Sequence, residues 1–381
     1  MVTKQRRNVF NPANMQGIAA LGTEQKFVLD RTFPVEEIVV IVSGTNNGVA
    51  LTLTQPDGIL NILKKVNLSV NDGTAPRAIV DFSGAGLLEY CANAGLNLDA
   101  ATLEAVKYQV NATNIPASNS FRIAYRIPLV HPMIQEPLRT RMLLPCHNWE
   151  QDMVLTCNFA TQAEIGTGGA LTALAVEIVM IRRQMPESLN QQIIGSGGYI
   201  PFDLIEQSYA IGVGIAGEVR LNIPSPGSYA GLMLRTYKGG ATVTRDNIDA
   251  VTTLGNETKW SLISGGVTER EFRMKHEQIT NEWSRPVNQL TMTTSPQFGG
   301  SVVANSLFRA SGSVMVDFLG DGLNDANELG SLLDVNTPAK SGLKMELVGN
   351  VVAAATNAHT IFYGGHRFYG DLSRWQSARN I

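Results

Sequence analysis

Charge is scarce in this chain. Asp, Glu, Lys and Arg make up 17% of its 381 residues, against roughly 25% in an ordinary globular domain. The net charge of −3 and a pI near 6.0 argue against a dedicated nucleic-acid-binding domain, whose phosphate contacts need a basic surface. Cysteine is scarcer still. Cys91, Cys146 and Cys157 are too few and too irregularly spaced for a disulfide framework or a zinc site, and read as buried free thiols. No apolar run reaches the ~18 residues that span a bilayer. The segment 171–181 comes nearest and is interrupted by Glu177. Met1-Val2-Thr3-Lys4 is followed by no apolar leader segment, so the chain is expected to be made in the cytoplasm.

Catalytic patterns are missing as well. His131, His147, His276, His359 and His366 are dispersed, with no His-x-His or His-x-x-x-His pair. A metal-dependent cupin would offer such a pair with a Glu. There is no G-x-S-x-G elbow and no phosphate-binding Walker loop. Gly212 to Gly217 does match G-x-G-x-x-G. The residues that follow, Glu218 to Ile223, alternate like a strand, so no helix N-terminus stands ready for a pyrophosphate. Asp317, Asp321, Asn324, Asp325 and Glu328 form the densest acidic group. Their spacing misses the calcium-loop pattern, and capping of a short helix explains them more simply. No cofactor and no metal is expected.

Present in abundance are short strands and the turns that separate them. Apolar residues make up 44% of the chain, and the polar share is carried by Asn, Thr, Ser, Gln and 36 Gly. Glu37 to Val42 is an apolar run of strand length. Asn46-Asn47-Gly48 predicts a tight hairpin, since Asn and Gly tolerate positive φ. Val49 to Thr54 alternates with period two, and Gln55-Pro56-Asp57-Gly58 is a turn. The run from Leu60 to Val70 predicts one longer strand, and Gly86 to Ala94 a short helix. Strands are expected at 105–110, 121–127, 153–159 and 171–181, the last two flanking a flexible loop at Gly166-Thr167-Gly168-Gly169. Pro186 to Gln192 predicts a turn of helix, and Gly195-Ser196-Gly197-Gly198 is the best boundary in the chain. A second series follows at 199–204, 218–223, 230–237, 259–263, 270–274, 287–293, 313–318, 343–348 and 360–368, with a short helix expected at 324–333.

The two series repeat one pattern. Many short strands with few helices imply sandwiches or barrels rather than an α/β sheet. The expected fold is all-β: two tandem eight-stranded jelly rolls, at 27–185 and 199–372, joined by a linker at 186–198. A tail occupies 373–381. Residues 1–26 form an N-terminal arm in which Lys4, Arg6 and Arg7 cluster. It is read as a disordered tail, with a basic arm that orders against a neighbour, a membrane or nucleic acid as the alternative. Trp149, Trp260, Trp283 and Trp375 read as core packing. The run Arg367, Phe368, Tyr369, Arg374, Trp375 and Arg379 has the composition of an interface anchor, and Arg367, Tyr369, Arg374 and Trp375 are taken as candidate subunit-interface residues.

Several segments together carry a resemblance. Val49-Ala50-Leu51-Thr52, Pro56, and the strand from Leu60 to Val66 that runs into Asn71-Asp72 form the first group. Ile115-Pro116-Ala117 leading into Phe121 to Leu129, the strand Gln151 to Phe159, and Gly198-Tyr199-Ile200-Pro201 follow in order. In order and spacing these resemble the first jelly roll of tectivirus-like major capsid proteins, while the second half is similar in length and strand rhythm only. The resemblance implies a double jelly roll, homotrimeric pseudo-hexagonal capsomers on an icosahedral bacteriophage shell, and no enzymatic activity. It implies as partners other copies of the chain, minor capsid or vertex proteins and internal-membrane lipids, with no sequence-specific nucleic acid. The protein would then reside in the virion capsid, with Lys4, Arg6 and Arg7 facing inward toward lipid headgroups or adjacent capsomers. A carbohydrate-binding or hydrolytic two-sandwich protein, such as a phage spike or lectin, is the alternative from the residues alone. A cupin-like metalloenzyme is a third.

Overall fold

Among the described residues, eight strands build the first half: β1 (Arg6–Phe10), β2 (Glu24–Leu29), β3 (Val35–Leu53), β4 (Leu63–Asn71), β5 (Pro76–Phe82), β6 (Ser120–Pro128), β7 (Met153–Phe159) and β8 (Gly166–Gln184). They form two four-stranded arrays, in the orders β1-β8-β3-β6 and β2-β7-β4-β5, every pair antiparallel. The computed structural model describes residues 21–53, 57–71, 76–94, 118–132, 138–149, 152–213, 217–224, 226–239 and 358–369. It also describes single positions between these segments and the strands 6–10, 244–245, 259–264, 267–273, 289–290, 306–307, 313–317, 333–334 and 345–351. The expected strand at 105–110 and helix at 324–333 lie outside the described residues, apart from Leu333 in a short strand.

The alternation in sequence decides which face is wet. β7 alternates between buried and half-buried positions along its whole length, as a strand with one face on the core must. Ile38, Val40 and Val42 of β3, Ile123 and Tyr125 of β6, and Ile178 and Met180 of β8 meet Val66 and Leu68 of β4, Val80 of β5 and Leu155 of β7 in one hydrophobic core. Full burial of such a side chain contributes about 1.5–3 kcal/mol. One helix, α1 (Gly84–Asn93), closes an end of this roll. Ser83 caps it, its hydroxyl accepting from the Gly86 N–H at 3.2 Å.

Two sequence expectations fail locally, and for one reason. Asn46-Asn47-Gly48 forms no hairpin, because β3 runs through it as a 19-residue strand. Gly166 to Gly169 is no flexible loop either, since it opens β8. Gly48 pairs with Gly169, and Asn47 with Ala170. The ladder between two long strands outweighs local turn propensity, and the turn residues are absorbed as bulges. Gly48 keeps a positive φ of 92°, Gly168 one of 94°, and the register shifts between Gly48 and Thr52. The N-terminal segment read as a disordered tail contributes β1, which pairs along the outer edge of β8 from Arg6↔Gln184 to Phe10↔Met180. The run 60–70 divides into a short 3₁₀ turn, Gly58–Ile62, and β4.

The second half repeats the layout. One array orders Gly217–Asn222, Met345–Val351, Lys259–Ser264 and Val267–Arg273. The other contains β9 (Phe202–Ile211), the last strand His359–Phe368, Gly231–Lys238 and Ser313–Asp317. Gly217–Asn222 is a strand, so the G-x-G-x-x-G match leads into no helix. A helix at Glu187–Gly195 with Pro186 at its cap position carries the chain from one roll to the next.

Candidate functional site: the seam between the rolls

Where the rolls meet, β5 and β9 run parallel through Val80↔Leu204 and Asp81↔Ile205. This short pairing fuses one array of each roll into a continuous sheet of 11 strands among the described residues. Three polar clusters stitch the seam.

The first sits at the cap of α1. Arg235 donates to Glu206 through Nε at 3.0 Å and also through Nη2, and donates to the Ser83 hydroxyl at 2.5 Å. The Ser83 backbone N–H donates to the other Glu206 oxygen at 3.1 Å. Arg235 Nη1 donates to the Tyr237 hydroxyl at 2.8 Å, which in turn donates a hydrogen bond to the Asp57 carboxylate at 2.5 Å. The guanidinium lies 5.1 Å from the centre of the Phe362 ring. Arg235 and Glu206 side chains are 1% and 4% exposed, so each charge depends on the other for its solvation. A Cβ at Gly86 would come within 2.8 Å of Ser83 Oγ, Glu206 Oε1 and Arg235 Nη2. Glycine is what lets the helix start press against the cluster.

The second cluster is aromatic. Buried His366 of the last strand donates from Nε2 to the Pro128 carbonyl at 2.8 Å, which leaves Nδ1 to accept from the Tyr90 hydroxyl at 2.6 Å. His131 packs edge-on at 5.3 Å, and Phe202 and Phe368 close the pocket. Burial holds His366 neutral, pulling its pKa down to about 3, although the Pro128 carbonyl favours the charged form.

The third cluster holds two of the expected interface residues. Arg367 forks onto Asp203 at 3.1 and 2.6 Å, and the Tyr369 hydroxyl donates to the same carboxylate. The Arg367 guanidinium lies 4.9 Å from the centre of the Tyr369 ring, and Arg77 of β5 lies 6.0 Å from it. Burial raises the Tyr369 hydroxyl well above its ordinary range. The structure therefore brings Arg367 and Tyr369 together in a half-buried intramolecular cluster. Arg374 and Trp375 lie outside the described residues, as does Lys4. Arg6 and Arg7 pair along β8 opposite Gln184 and Arg183.

The linker is pinned too. Arg141 donates to the Ser196 carbonyl and hydroxyl at 3.2 and 2.7 Å and to the Gly198 carbonyl at 3.3 Å. Below it, Arg139 and Arg183 close on Glu36 at 2.5 and 2.8 Å. Burial alone would raise the Glu36 carboxyl, but the two arginines hold it below the usual range.

Between the rolls lies a trough of about 660 Å³ whose walls include Lys64, Lys65, Asp81, Glu206, Gln207 and Tyr237. Its charges are paired: Lys64 with Glu164 at 2.7 Å and Lys65 with Asp81 at 2.9 Å. Among the described residues no group of three His, Cys, Asp or Glu side chains is placed to hold a metal. Cys91, Cys146 and Cys157 are buried free thiols, the last two pushed up to about 12 by burial.

Sequence reasoning passed over Arg235, Glu206, Tyr90 and His366. One signal was available: Arg235 interrupts the apolar run Ala230 to Leu234 at a position that faces inward. A lone charge in a buried strand needs a dedicated partner.

The chain matches no family model and no curated protein. Solved structures align with it over nearly its full length. One is a chain of the atomic structure of Sulfolobus Turreted Icosahedral Virus, at 14% identity and a TM-score of 0.66, covering 98% of this chain and 95% of that one. The major capsid protein from Bacteriophage PM2 aligns at 9% identity and a TM-score of 0.54, covering 96% and 98%. The Faustovirus major capsid protein aligns at 8% and 0.56, covering 97% and 91%. The fold of this chain is the double jelly roll.

Proposed function

We propose that this chain is a major capsid protein of an icosahedral virus, resident in the virion, whose three copies close into a pseudo-hexagonal capsomer. One observation carries the reading: two like rolls are joined side by side through the parallel β5–β9 pairing; in this proposal 27–185 and 199–372 are the two walls. Three such chains present six similar sides, the shape that tiles a near-flat lattice, and a threefold ring closes rather than growing into fibres. The fold neighbours named as capsid proteins support a structural rather than an enzymatic role. In this proposal Lys4, Arg6 and Arg7 face the inside of the shell, toward lipid headgroups or adjacent capsomers, and Arg374 and Trp375 extend the Arg367–Tyr369 cluster to a neighbouring subunit. Minor capsid proteins join at the vertices.

Native mass measurement with negative-stain imaging tests the proposal. A species of three chains with a hexagonal outline is expected. A monomer that retains glycans in a binding assay would overturn it in favour of a lectin-like protein.

A further inference from the structure

Charge is absent from one large exposed surface. The paired stretches Ser43 to Leu53 on β3 and Gly166 to Val176 on β8 contain no Asp, Glu, Lys or Arg. Their inward side chains belong to the fold: Leu51 is fully buried, and Leu171 and Val176 nearly so. Their outward ones are exposed at Asn47, Val49, Thr52, Thr167, Ala170, Thr172 and Ala175. Val49 alone is 62% exposed. Across the register, Thr45 stands between Thr172 and Ser120, whose hydroxyl meets that of Thr45 at 3.1 Å, so the uncharged face continues onto β6. The first charged residues beyond it are Arg122 on β6 and Glu177 on β8.

The edges of this ribbon are poor templates for a further strand. Gln162 occupies the β8 side, donating to the Gly169 carbonyl at 3.4 Å and accepting from the Leu171 N–H at 3.2 Å. Register shifts break the ladder between Ser43 and Thr45, where Ala173 adopts a φ of 50°, and again between Gly48 and Thr52. Bulges of this kind twist a ribbon away from edge pairing. What remains is the outward face, built of small, uncharged side chains. Interface cores are depleted of charge. A surface meant for a different partner can use opposite charge for selection, whereas one that meets its own copy must avoid like-charge repulsion, and neutrality achieves that in any symmetric arrangement.

We infer that the outward face of the β3–β8 ribbon, centred on Val49, Ala170 and Thr172, packs against a second copy of this chain. The inference rests on the capsid reading and assigns it a contact. Val49→Glu and Ala170→Glu place a charge on that face without touching the core, and near-UV circular dichroism of the monomer fraction verifies the fold. Val28→Glu, at a residue 68% exposed on β2, serves as a charge control elsewhere. Sedimentation of the full chain over a concentration series is the readout. Wild type and V28E should assemble alike, while V49E and A170E should need about tenfold more protein or worse, because a buried unpaired charge opposes association. Folded V49E and A170E proteins that assemble like wild type would overturn the ribbon contact and leave the capsid reading standing. An equal loss in V28E would overturn it as well, as a generic effect of charge. A wild type that stays monomeric throughout would remove both.

Discussion

His366 illustrates how one side chain couples the two rolls to pH. Its ring is enclosed by Tyr90 and Pro128 from the first roll and by Phe202 and Phe368 from the second. Folded, it stays neutral down to about pH 3. Unfolded, an imidazole takes up a proton near pH 6.5. Between those values the unfolded chain binds a proton that the native chain refuses, so stability falls as the pH is lowered through that window, by up to ~1.4 kcal/mol per pH unit for this group. His147, whose pKa burial also lowers, adds in the same direction. Urea unfolding at pH 6.5 and at pH 4.5 should reveal the loss. His366→Gln keeps a donor toward Pro128 and an acceptor toward Tyr90 but cannot titrate, so it should flatten the slope. A variant with the wild-type pH slope would remove His366 as the cause.

Among the elements, the last strand bears the tightest constraint. Gly364 pairs with Glu206 on one side and Met233 on the other. A Cβ at Gly364 would lie 2.0 Å from the Ile205 carbonyl, and one at Gly365 would lie 2.2 Å from that of Gly231. Gly364→Ala must therefore push β9 and the last strand apart next to the Arg235–Glu206 cluster. A loss of about 1–3 kcal/mol is expected, measured as a lower urea midpoint, and an unchanged midpoint would contradict the packing described. This glycine also shows what sequence could and could not convey. The strand at 360–368 was legible from its apolar run, as 153–159 was from alternation and α1 from its composition. The reason for Gly364 was not, because it lies in the carbonyl of a strand more than 150 residues away. Asn46-Asn47-Gly48 misled for the same cause: local turn chemistry is visible in sequence, and the long-range ladder that overrides it is not. The seam cluster stayed hidden because Ser83, Glu206 and Arg235 approach one another only once both rolls are formed.

At the scale of the molecule, the question is whether two rolls behave as one body. Two sandwiches on a linker would ordinarily melt as separate units. Here the core of the first roll continues through Phe202, Leu204, Met233 and Phe368 of the second. One sheet spans both rolls, and the linker is tied down by Arg141. Under the proposed capsid role that rigidity has a use, since hinging between the rolls would change the angles at which the walls of a tile meet their neighbours. Calorimetry of the wild type should accordingly show one transition. Arg235→Leu tests what holds the unit together. It strands Glu206 in a buried site without its cation, and losing one partner of such a pair costs roughly 3–5 kcal/mol. Part of that loss falls on the seam, because Arg235 also gives up its hydrogen bond to Ser83 of the first roll. The variant should unfold in two steps, the seam opening before the sandwiches melt. A single transition shifted to lower temperature would mean instead that the continuous sheet and shared core bind the rolls without help from the ion pair.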